Sequence, residues 1–133
     1  GILDVADAKL AAPTGAQALV VSNRGGRQLD GAPSSISVLP EIVDTVGSQM
    51  EIMFDGGIRT GQDVVRALAL GAKSCMIGRA YVYGLGAGGQ AGVTKALDLL
   101  AKEMETTMGL CGVNTVPEID RHILRNDGHV NWG

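Results

Sequence analysis

The sequence predicts an α/β fold on a parallel sheet, either a small doubly wound sheet or part of a (β/α)8 barrel. Three short apolar runs, Ala18–Ser22, 51–54 and 74–77, lack strict alternation, as strands buried on both faces do. Stretches of helical length separate them in the order αβαβαβα, and that alternation calls for right-handed crossovers and parallel strands. Each strand also runs into a loop where glycine and arginine stand close together.

The elements follow in order. Residues 5–12 form a short helix, capped by Asp4 and stopped by Pro13. The strand Ala18–Ser22 then leads into "SNRGGRQLDG". Ser35–Val46 places Val38, Leu39, Ile42 and Val46 at helical spacing, with Pro40 disturbing its first turn. The strand 51–54 is followed by a helix over 60–70, with Thr60 as N-cap, Val64, Val65 and Leu68 inward, and Gly71 as the stop. After the strand 74–77, "GLGAGG" at 84–89 lacks the spacing of a dinucleotide loop and reads as a flexible connection. The last helix covers 89–108. Val20, Ile52 and Met76 are expected beside an open face that a partial barrel leaves uncovered.

Composition narrows the function. The chain has 133 residues, 45% of them apolar, enough for one domain with a core: a barrel portion over 1–113 and a polar tail over 114–133. A net charge of -3, scattered basic residues and 3% aromatics argue against nucleic acid. Cys75 and Cys111 lack metal-ligand spacing and read as buried, reduced thiols; His122 and His129 read as surface histidines, and no metal site is expected. No apolar run reaches the roughly 18 residues a span requires. No basic segment leads into an apolar signal core. These features set the expectation of a cytoplasmic protein, free or peripheral at the inner face of the membrane. The start at Gly1, without Met, suggests a fragment or processed product.

The loops carry the chemistry. Arg24 and Arg27 put two fixed positive charges at one strand end, which suits an anionic ligand and not proton abstraction. In "FDGGIRTGQD", Asp55 ends the strand, Gly56 and Gly57 let backbone approach a ligand, and Arg59 adds charge before a helix N-terminus. "IGRAYVYG" repeats the device with Gly78 and Arg79. Two successive strand ends of this kind fit the phosphate site after the last strands of a TIM barrel.

"VVSNRGGRQLDG", "DGGIRTGQDVVRALALGA" and "MIGRAYVYGL" together resemble the C-terminal part of the FMN-dependent α-hydroxy acid dehydrogenases and oxidases, over nearly the whole chain. "GQAGV" and "LLAKEMETTMGLCG" are most similar to the lactate dehydrogenase branch. The resemblance implies the last three strands, with flanking helices, of a TIM (β/α)8 barrel roughly two to three times this length. It implies FMN as cofactor and an L-2-hydroxy acid, L-lactate first, as substrate; the electron acceptor stays open. It places Ser22 on the flavin, Asp55, Gly56, Gly57, Ile58 and Arg59 around the ribityl chain and phosphate, Gly78 and Arg79 on the phosphate, and Arg27 on the substrate carboxylate. Two departures follow. Arg24 stands where the family keeps its base histidine ("SNRGGR" for "SNHGGR"), and arginine cannot take a proton near neutral pH. The family's N-terminal half, with its lysine, orienting aspartate and tyrosines, is not in this sequence. The alternative reading is therefore a non-catalytic half-barrel that keeps a flavin-phosphate or phosphate site. Pairing with another copy or with the missing half is expected.

Overall fold

The computed structural model describes residues 1–125. Helix α1 (Val5–Ala11) starts at Asp4, whose side chain accepts from the Ala6 and Asp7 N–H groups. Strand β1 (Ala18–Ser22) leads to helix α2 (Ser35–Val46), β2 (Glu51–Asp55) to α3 (Gly61–Ala69), and β3 (Ser74–Met76) to the long α4 (Arg79–Cys111). The three strands are parallel, in the order β1-β2-β3, with Ser22 opposite Asp55 and Asp55 opposite Met76. This is the C-terminal part of a (β/α)8 barrel. Ile2 adds one isolated parallel bridge to Val21 on the outer side of β1.

Alternation along the strands sorts their side chains. Leu19, Val21, Ile52 and Phe54 are buried in one core with Leu39, Ile42 and Val46 of α2. The opposite face carries Val20, Met53 and Met76, of which Met76 is 46% exposed. Val20 and Met76 thus lie on the open face as expected, whereas Ile52 does not: one residue out of phase with Met53, it turns to the helices. Pro40 sits inside α2 and the helix runs through it, because Leu39, Ile42 and Val46 anchor the helix to the sheet.

The end of the chain differs most from expectation. The stretch 84–89 is not a flexible connection. α4 begins at Arg79 and breaks only at Gly88 and Gly89, whose φ/ψ are non-helical. Its two arms fold back on each other. A Cβ at Gly92 would lie 1.8 Å from the Gly84 carbonyl oxygen, a contact impossible between residues eight apart on one straight helix. Close packing of the arms outweighs the low helix propensity of glycine there. Beyond α4, Val113 and Ile119 are buried against Val65 and Ala69 of α3, so the polar segment after 113 packs back onto the barrel portion as far as it is described. Among the described residues no helix is long and apolar enough to cross a membrane.

Candidate functional site

The C-terminal ends of all three strands open on one cavity of about 250 Å³. Its walls come from the three loops that the sequence singled out: Arg24 and Arg27 after β1, Asp55 to Arg59 after β2, and Gly78 and Arg79 after β3. Ser22 lies just beneath, buried, and is the one predicted site residue that does not line it.

Each loop is held by short-range ties. After β1, the Asn23 side chain accepts from the Gly25 N–H at 3.0 Å, and the Asn23 N–H donates to the buried Ser35 hydroxyl at 2.9 Å. The Ser22 hydroxyl accepts from the Arg24 N–H at 3.0 Å and donates to Asp55 Oδ2 at 2.5 Å, which links the ends of β1 and β2. Arg24 is the one non-glycine among the described residues with positive φ, at 54°, followed by Gly25 and Gly26 at 72° and 67°. An unbranched cation in left-handed backbone costs about 1–2 kcal/mol.

After β2, two glycines answer different demands. Gly56 has φ 117°, and a Cβ there would lie 2.6 Å from Ser35 Oγ and 2.9 Å from Asn23 Oδ1. Gly57 has φ 84° and open space beside it, so its backbone faces the cavity bare. Thr60 then caps α3 in a capping box with Asp63.

That cap changes one expectation. The Arg59 and Thr60 N–H groups donate to Asp63 Oδ2, and the Gly61 N–H donates to Glu103 Oε2 at 2.8 Å. The leading amides of α3 are therefore occupied by the protein's own carboxylates. The start of α4, at Gly78, has no side-chain cap and borders the cavity. Its first N–H groups have no intrahelical acceptor and lie at the β3 end of the cavity, which Gly78 and Arg79 line.

The electrostatics are one-sided. Four guanidiniums, of Arg24, Arg27, Arg59 and Arg79, line the cavity with a single carboxylate, Asp55. All four arginines are exposed, and the ion pairs among the described residues involve none of them. Arg79 donates to the Gly25 carbonyl oxygen at 3.4 Å, which joins the first loop to the third. Such a cavity attracts anions and offers forked donors to phosphate or carboxylate oxygens.

Sequence reasoning passed over Asn23, Gly25 and Ser35. "SN" before two glycines is a signal for a side-chain turn. Ser35 had no such signal, since it looked like an ordinary helix start while its acceptor role lies across the fold. Both cysteines are remote from this chemistry. Burial pushes the Cys75 thiol up to about 11, which keeps it neutral, whereas Cys111 is exposed and not buried as expected. His122 is exposed beside Asp120, and His129 lies outside the described residues.

Comparison with known proteins gives this geometry a context. A family model described as FMN-dependent dehydrogenase matches residues 1–126. An L-lactate dehydrogenase of Caulobacter sp. (strain K31) is 56% identical over 124 residues, which are 93% of this chain and 33% of the relative. An FMN-dependent alpha-hydroxy acid dehydrogenase of Penicillium citrinum is 48% identical over 125 residues, 94% of this chain and 31% of the relative. The structure of a mandelate oxidase mutant with a monooxide FMN adduct superimposes with a TM-score of 0.87 at 50% identity, covering 91% of this chain and 38% of that one. The chain thus spans about a third of the length of the curated relatives it matches.

Proposed function

The chain belongs to the FMN-dependent dehydrogenase family, and from that premise we propose that it supplies the flavin-phosphate grip and the carboxylate clamp for oxidation of an L-2-hydroxy acid, L-lactate first, to the 2-keto acid. The observation that carries this reading is the cavity at the strand ends, lined by four arginines and bare glycine backbone. Its donor set fits FMN. A phosphate needs forked cations and free N–H groups. Arg59, Arg79, the uncapped start of α4 at Gly78 and the bare Gly57 backbone offer them around one space. Asp55, Gly56 and Ile58 would flank the ribityl chain, and Ser22, tied to Asp55, would support the flavin from below. Bound there, FMN would supply the two-electron acceptor.

Arg27 holds the substrate carboxylate in this reading, with the planar fork that suits bidentate pairing. Arg24 occupies the place of the family's base. A guanidinium keeps its proton near neutral pH, so it can steady an anion but cannot accept the hydroxyl proton of the substrate. Turnover should therefore be slow even in the full-length protein. A second reading, a flavin-phosphate site without oxidation, is favoured by that same residue.

The test is L-lactate-driven bleaching of flavin absorbance, without oxygen, in the full-length protein that carries this chain. Arg24→His should raise the rate by about 10²–10⁴, the usual worth of a general base. Equal rates with arginine and histidine would remove position 24 from proton transfer. Flavin that stays bound and is not bleached in either protein would favour the second reading.

A further inference from the structure

We propose that Arg24 and Arg27 together form a two-carboxylate subsite, so that within the L-2-hydroxy acid class a short dicarboxylic 2-hydroxy or 2-keto acid is held more tightly than L-lactate. The proposal rests on the reading above, in which Arg27 clamps the first carboxylate. The two guanidiniums stand between two hollows. Both line the cavity at the strand ends, and both, with Gln28, line a second hollow of about 310 Å³ beyond it. The second hollow is lined by two forked cations and one side-chain amide, with no carboxylate among them.

The charges are unspent. The ion pairs among the described residues leave both arginines without a carboxylate. One carboxylate accepts two parallel bonds from one guanidinium and is then matched. A lactate-sized acid held by Arg27 leaves the Arg24 fork with nothing to bind. A second carboxylate on the same ligand would match it, and Gln28 would add a further donor. Backbone geometry supports a binding role. Arg24 is held at φ 54°, in a strained turn fixed by Asn23 and Ser22. Strain of this kind in an otherwise relaxed chain collects where a side chain must be aimed. Both arginines are exposed, so replacing them leaves the core untouched.

Calorimetric titration of the full-length protein with 2-hydroxybutanedioate and with L-lactate decides the matter. The dicarboxylate should bind at least about tenfold tighter, the worth of one added charge-assisted pair at an exposed site. Arg24→Gln should bring the two acids to parity, and added salt should narrow the gap in the unmutated protein. Parity in the unmutated protein, or a preference that survives Arg24→Gln, overturns the proposal alone. An unchanged L-lactate affinity in Arg27→Gln overturns the clamp reading and the proposal with it.

Discussion

The two rims of the sheet treat charge in opposite ways. At the C-terminal ends of the strands, four arginines line one cavity with one carboxylate between them. At the opposite rim, where α2 and α3 turn into β2 and β3, the segment after α4 is tied down by its own polar side chains: Arg121 pairs with Asp44 at 2.6 Å and the His122 ring meets the Asp120 carboxylate. Carboxylates there also serve the backbone, with Glu118 accepting from the Asn114 N–H at 3.0 Å and Asp120 from the His122 N–H at 2.8 Å. Matched charges hold a chain segment in place; unmatched ones wait for a ligand. The division agrees with the general rule that the C-terminal face of such barrels carries chemistry and the other face carries stability.

Substitutions at the first rim should have the largest effects. Gly56→Ala combines a forbidden φ with a clash against Ser35 and Asn23 and should cost about 3 kcal/mol. Gly57→Ala, with similar φ but open space, should cost about 1 kcal/mol, seen as a smaller shift in the denaturation midpoint. Equal shifts for the pair would show that the β1 loop and the start of α2 do not close on Gly56. Between these two lies Ser35→Ala. It leaves the Asn23 N–H without its acceptor and should cost about 2 kcal/mol in the same measurement. A neutral result would mean that the first loop stands without α2.

The opposite rim should respond to acid, and weakly. Hydrogen bonds from the Asn114 N–H and then the Thr115 hydroxyl hold the Glu118 carboxyl below its ordinary value, and the His122 N–H does the same for Asp120. Both groups titrate lower folded than unfolded. Their contribution is complete above the ordinary carboxylate range and is lost as pH falls through the depressed folded values. Both are fully exposed, so the effect is the smallest of the set. Amide exchange at Asn114 and His122 should quicken, relative to the core, as the solution is acidified. Unaltered relative protection in acid would count against the capping role of these carboxylates.

The fold was legible where one period ruled. Ala18–Ser22 and Ser35–Val46 read correctly to the residue, because unbroken apolar patterning fixed them and Pro40 could not override three anchoring side chains. The strand-end loops were legible because glycine beside arginine is a local signal. What was hidden depends on distance in sequence. Gly84 looked like a linker because its partner, Gly92, is defined only by the fold-back of α4. Ser35 meets Asn23 across a loop, and Glu103 reaches Gly61 across 42 residues. That last bond turned the expected anion site at α3 into an occupied cap and left the uncapped start of α4 in its place.

The central claim is that the arginine-lined rim grips the phosphate of FMN, and the affinity of the full-length protein for FMN tests it most directly. Fluorescence titration should show Arg59→Gln and Arg79→Gln each weakening FMN about tenfold, through loss of a charge-assisted hydrogen bond. Riboflavin, which lacks the phosphate, should bind the unmutated and substituted proteins alike. An FMN affinity indifferent to both substitutions, or an equal loss for riboflavin, would contradict the account.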